Sequence, residues 1–315
     1  MKRTGFLTRR RTVLFLALFF LLTLPAPLTG CTGGGDGGSG AQGSAPVKEG
    51  DFLLPSAPGE VMLGNSYAAI DASNVNHGYL CIQYLGDSGK VKLQIKADSE
   101  TYTYDLKKSD DYLVFPFSCG SNTYSVEVYE NISGNQYAQV CGETIDVSLA
   151  DETEPFLYPN YYVNYAAADP VVDLTVKETG SCETQLQVVE TVFNYVTSTI
   201  DYDYDLADSV GSGYIPELDV VLDKKTGICF DYASLMSAML RIRNIPTKLV
   251  VGYSGDLYHA WISVYITDVG WVDNVIEFDG ESWTLMDPTF AAAGGSDKAA
   301  DYVGNQENYH ALYFY

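Results

Sequence analysis

The sequence predicts an α+β protein in two parts, a small all-β, sandwich-like module followed by helices packed on an antiparallel sheet. From about residue 60 to 150, short runs of β-forming residues alternate with turn residues at close spacing. From Thr184 the apolar period lengthens to that of a helix, and it returns to alternation after Lys248. The chain also holds 25 tyrosines, most of them in alternating runs where their rings cover a sheet face.

The first thirty residues stand outside this fold. Lys2, Arg3, Arg9, Arg10 and Arg11 form a basic start, and Val13 to Leu24 is apolar, long enough for a secretory signal and short for a membrane span. Leu28-Thr29-Gly30-Cys31 then resembles a bacterial lipobox. That resemblance implies a lipid on Cys31, which would hold the mature chain at the extracytoplasmic face of the cell membrane without spanning it. Residues 31–50 are rich in Gly, Ser and Ala, so they cannot bury a core and read as a flexible tether.

Charge narrows the partners. The chain has 18 basic and 41 acidic residues, a net of −23. Removing residues 1–30 leaves 13 basic against 41 acidic residues, a net of −28. Such a surface repels nucleic acid and anionic lipid.

Residues 51–150 form the all-β accessory module. Its expected strands are Tyr79 to Tyr84, Val91 to Ala97, Thr101 to Leu106, Tyr112 to Phe117, Tyr124 to Tyr129 and Tyr137 to Ser148. Turn residues such as Gly86-Asp87-Ser88-Gly89 and Ser133-Gly134-Asn135 separate them. Nothing in this module has a catalytic pattern, which leaves a binding or spacer role. Residues 151–175, rich in Pro, Tyr and Asp, read as a linker to a second unit at 176–315.

In that second unit Val188, Val189, Val192, Phe193 and Val196 share one face of a helix from about Thr184 to Ser198. A loop ends near Leu218. A second helix starts at Cys229, buries Leu235, Met236, Met239, Leu240 and Ile242, and stops before Pro246. Lys248 to Tyr253 is a strand. The next strand starts at His259 and runs to Ile266; Gly270 to Phe278 and Trp283 to Met286 extend the sheet, turning at Asp279-Gly280, and Asp287 follows.

Cys81, Cys119, Cys141 and Cys182 are an even set in an oxidising compartment; they are open to three disulfide pairings or to none. No cofactor or metal site is expected. The three histidines are scattered, and Asp201, Asp203, Asp205 and Asp208 lack the glycine and distal glutamate of a calcium loop.

Cys229, His259 and Asp287 carry the chemistry. Each alone has an ordinary reading: a packed thiol, a structural histidine, a turn-starting aspartate. Together, at a helix start and two strand ends, they form a thiol nucleophile, a proton carrier and a group that orients it. A helix N-terminus should lower the thiol pKa, and its amides can hold an oxyanion.

Residues 184 to 292 resemble the bacterial transglutaminase-like domains of the papain-like thiol class. The matching stretches are Gly227-Ile228-Cys229-Phe230-Asp231-Tyr232-Ala233, Gly252-Tyr253, His259-Ala260-Trp261, Asp287-Pro288-Thr289-Phe290, and upstream Ile200-Asp201-Tyr202-Asp203-Tyr204. The resemblance implies a papain-like α+β core that attacks a side-chain or peptide amide of a protein or peptide substrate at the cell surface. A thioester forms, and an amine or water resolves it.

The stretch from Val269 to Trp283 is longer than the family's usual hairpin and is either a substrate rim or a neutral insertion. Tyr204 and Tyr214 are candidate oxyanion donors, and Trp261 and Trp271 either line an acyl pocket or pack the core. Two other functions compete with acyl transfer. One is a cysteine protease. The other is a non-enzymatic surface binding protein that uses the core as scaffold.

Overall fold

A computed structural model describes residues 45–48, 50–166, 169–254, 256–267, 269–278, 283–285 and 309–315, with backbone only for 274–278 and 283–285. Cys31 and Asp287 lie outside the described residues.

The first half is a sandwich of two four-stranded antiparallel sheets. One holds β1 (Met62–Gly64), β2 (Ala68–Asp71), β3 (Tyr79–Tyr84) and β6 (Leu113–Pro116), in the order β1-β2-β3-β6. The other holds β4 (Val91–Ala97), β5 (Glu100–Asp105), β7 (Asn122–Ser133) and β8 (Gln136–Val147), in the order β5-β4-β7-β8. Along β4, Val91, Leu93, Ile95 and Ala97 are buried while the residues between them are half-exposed. They join Ile70, Leu80, Ile82 and Phe115 of the facing sheet in one core. Each large apolar side chain buried there contributes roughly 1.5–3 kcal/mol.

The segment read as linker is packed. Phe156, Tyr158, Tyr161, Tyr162, Val163 and Tyr165 are all buried. Tyr162 stacks on Tyr104 of the sandwich at 5.6 Å, and the Tyr161 hydroxyl donates to Asp105 O at 2.5 Å. α1 (Pro170–Thr179) begins inside the segment, with Pro170 in the first turn, where a missing N–H is harmless. The end of the tether is also tied down. Gln185 N–H donates to Ala45 O and Val47 N–H to Glu183 O, because the first turn of a helix needs outside acceptors.

The second half places α2 (Gln185–Thr199), α3 (Tyr204–Ser209), α4 (Leu218–Lys224) and α5 (Cys229–Ile242) with a five-stranded antiparallel sheet. Thr184 caps α2 reciprocally with Gln187. α3 and α4 fill the expected loop. The Asp203 carboxylate caps α3 at Leu206 N, and Lys225 in a left-handed conformation ends α4. Two short strands, β9 (Asp201–Tyr202) and β10 (Thr226–Gly227), pair in parallel. The sheet holds β11 (Thr247–Ser254), β12 (Leu257–Ile266), β13 (Gly270–Phe278), β14 (Trp283–Leu285) and β15 (Tyr309–Phe314), in the order β14-β13-β12-β11-β15. The long stretch after Val269 is therefore largely strand.

α5 is buried on every face from Asp231 to Ile242, not on one stripe as its apolar residues suggested. It lies within a cluster that runs without a break into the sandwich. Tyr315 makes edge contacts with Tyr102, Tyr104 and Tyr162, and Ser118 Oγ donates to Phe314 O. Arg241 is wholly buried. Its guanidinium donates to Thr247 O, Tyr158 O and Tyr315 O, tying α5 to the start of β11, the segment after β8 and the residue after β15. All five described cysteines are free thiols. No helix among the described residues is long and apolar enough to cross a membrane.

Candidate active site

Cys229 is the first residue of α5, after Ile228 in extended conformation. The turn before it is set by Asp231, whose buried carboxylate accepts Ile228 N–H at 2.8 Å and the Tyr214 hydroxyl at 2.8 Å. An isoleucine side chain accepts no hydrogen bond, so this is half of a capping box. A Cβ on Gly227 would stand 2.8 Å from Asp231 Cβ, which explains glycine at that position. The β9–β10 pairing sets Tyr202 opposite Gly227.

The N–H groups of Ala260 and Phe230 and the Tyr202 hydroxyl each favour the charged form of the Cys229 sulfur. The Tyr202 oxygen also accepts Cys229 N–H. The sequence pointed to Tyr204 and Tyr214 as oxyanion donors. The structure instead puts Tyr202 against the thiol, with Tyr204 packed on the Tyr202 ring at 4.9 Å and Tyr214 on Asp231.

The electrostatics differ from the expectation of a lowered thiol. Burial pushes the Cys229 thiol up, and the Asp231 carboxyl adds to the rise. The hydrogen bonds from Ala260, Phe230 and Tyr202 pull the other way without reversing it. Burial raises Asp231 itself and holds Tyr202 up to about 12.

His259 is buried in β12, and burial lowers it to about 4. Its ring lies beside Trp261, with centroids 6.2 Å apart, and its Nε2 has no partner among the described residues. Cys229 thus meets the backbone of the histidine strand at Ala260, while the imidazole is not among the thiol's hydrogen-bond partners. Burial favours the neutral form of both the thiol and the imidazole. Asp287, the third residue, lies outside the described residues.

Trp261 is a packing residue. It is buried, meets Tyr309 edge-on at 5.4 Å, and stands where a Cβ on Gly252 would approach its ring to 2.9 Å. Trp271 packs on Phe156 and Tyr265 and takes the Lys248 ammonium on its face at 3.8 Å.

Residues 173–275 match the sequence profile of the transglutaminase-like superfamily. That segment is transglutaminase-like in sequence. Among solved structures it is similar to a Cytophaga hutchinsonii protein assigned provisionally to the cysteine proteases (18% identity, 59% of this chain, 71% of that one, TM-score 0.34). It is also similar to the periplasmic domain of TgpA from Pseudomonas aeruginosa (13% identity, 67% of this chain, 92% of that one, TM-score 0.32). A third is red sea bream transglutaminase (14% identity, 67% of this chain, 47% of that one, TM-score 0.27). A search of curated proteins returned no match.

Within this transglutaminase-like core, His259 links pH to stability. A histidine whose folded pKa is about 4 against an ordinary 6.5 binds fewer protons folded than unfolded. Its contribution is complete above about pH 6.5 and is lost as pH falls from there toward 4, on the order of 3 kcal/mol in all. Denaturant midpoints across that window should fall less steeply in His259→Gln than in the parent. Identical slopes would contradict a buried neutral ring.

Proposed function

We propose that this chain is a thiol enzyme acting on amide bonds, with Cys229 as nucleophile, His259 as proton carrier and Asp287 as the group that orients the imidazole. The observation that supports it is the set of donors gathered on Cys229 Sγ at a helix N-terminus beside the histidine strand. In the first step the sulfur attacks the amide carbonyl and its proton passes to His259. Phe230 N–H and the Tyr202 hydroxyl would receive the developing negative oxygen. The C–N bond then breaks, and the proton on His259 goes to the leaving nitrogen. A glutamine side chain releases ammonia; a peptide bond releases an amine. Water or a primary amine next attacks the thioester, giving up a proton to His259, which returns it to sulfur. Because burial favours the neutral thiol, the proton leaves as attack occurs, and His259 must form a hydrogen bond to the thiol that its Nε2 does not make among the described residues at rest.

The non-enzymatic alternative accounts for the same electrostatics. A raised thiol and a histidine lowered by burial suit a packed scaffold as well as a resting enzyme. Incubation with a glutamine peptide and a primary amine separates the readings. Ammonia release with amine incorporation indicates transfer, ammonia without incorporation indicates hydrolysis, and peptide cleavage indicates proteolysis. None of the three leaves the scaffold.

The lipobox-like Cys31 places this activity at the outer face of the cell membrane in our reading. Cys31→Ala should release the protein from membranes or leave its leader uncleaved. A parent protein already found in the aqueous phase would count against the anchor.

A further inference from the structure

Exposed aromatic groups gather beside Cys229. Ala260 N–H meets the sulfur, and Tyr258, two residues earlier on β12, lies near enough to Cys229 to feel its charge. Tyr258 is 57% exposed, Leu257 is 64% exposed, and the Tyr253 ring meets Tyr258 edge-on at 5.4 Å. From a different element, Tyr204 is 58% exposed and lies on Tyr202, the tyrosine bonded to the thiol. Single exposed apolar residues need no explanation, but a group of them around a reactive atom does.

The surroundings of this rim are one-signed. Between Lys177 and Lys224 the chain carries ten Asp and Glu residues and no Lys or Arg. Asp201, Asp205 and Asp208, which flank Tyr202 and Tyr204, are exposed, as is Asp256 beside Leu257. A cleft of about 390 Å³ continues from Tyr214 and Asp203 toward Glu217, with Lys224 the single cation in its wall. The molecule already uses tyrosine and tryptophan faces to hold cations, at Lys96 over Tyr129 and Lys248 over Trp271.

We propose that this tyrosine rim selects cationic peptides, with Lys or Arg side chains flanking the amide presented to Cys229. The ring faces take the cationic heads and their aliphatic stems, and the carboxylates around them attract the charge and repel acidic peptides. The inference rests on the amide-bond reading for where the peptide lies, but its binding can be measured without turnover.

The test uses full-length Cys229→Ala and three fluorescent peptides of equal length with a central Gln flanked by Lys, Ser or Glu. The Lys peptide should bind about tenfold more tightly than the Ser peptide, and the Glu peptide more weakly than either. The advantage should shrink as salt is raised. Adding Tyr204→Ala and Tyr258→Ala should remove about five- to tenfold of the Lys-peptide affinity. Adding Asp205→Asn and Asp208→Asn instead should flatten the salt dependence. Equal binding of Lys and Ser peptides, or tyrosine variants that bind like the parent, would overturn the rim. Preference for the Lys peptide with no ammonia release or cleavage by the unmutated protein would leave the rim standing and sink the amide-bond reading.

Discussion

Cys229→Ala should abolish acyl-enzyme formation and reduce ammonia release or cleavage by a factor on the order of 10⁵ to 10⁶. The substitution removes one sulfur at a half-buried position, so the fold should be unchanged, and near-UV spectra should match the parent. His259→Gln should cost a factor on the order of 10⁴, because a neutral thiol needs a base as it attacks. Asp287→Asn should cost on the order of 10² to 10⁴ with substrate affinity little changed. A profile in which Cys229→Ala retains activity would remove the thiol from the mechanism. Tyr202→Phe provides an internal check: it keeps the ring under Tyr204 and deletes the hydroxyl at the sulfur, so kcat should fall with KM little altered.

The second large effect is on stability. Arg241→Ala should destabilise the protein by about 3–5 kcal/mol, enough to unfold a marginal domain. Its guanidinium is wholly buried, and burial lowers it to about 10. Removing it leaves a cavity and strips Tyr158 O and Thr247 O of these donors, while Tyr315 O keeps Leu249 N–H. Arg241→Met keeps most of the volume and removes the buried charge, so it should cost clearly less than alanine. Denaturant midpoints at constant slope read both variants. An alanine variant within about 1 kcal/mol of the parent would show that the knot between α5, β11, the segment after β8 and the chain after β15 is not needed for stability.

What could be seen in the sequence follows from pattern length. β3 and β4 match their expected bounds because several alternating residues mark each one. α2 and α5 were visible from their apolar period and, for α5, from the glycine before Cys229. β1 and β2 have three and four residues, too few for a period. α1 was hidden because Pro170, which opens it, reads equally well as linker. β15 carries the aromatic run Tyr309 to Phe314, whose role depends on the distant Val250 to Ser254 beside which it pairs.

Cys229 and His259 stand out as candidates from residue type and order, and Tyr202 does not. It lies in the same Tyr-Asp stretch as Tyr204, and the choice between them depends on the two-residue pairing of β9 with β10. Asp231 had a usable signal. A carboxylate three residues after a helix cap is the capping position, and here it holds the turn that carries the thiol. The rise in the thiol pKa had no sequence signal, because it comes from burial by residues far away in the chain.

The most direct test of the central claim is acid-quenched intact-mass analysis during turnover of a glutamine peptide, followed by peptide mapping. The account predicts a species heavier by the peptide less ammonia, located on Cys229 and absent from Cys229→Ala. Ammonia release with no such adduct on Cys229, or an adduct on another residue, would contradict it.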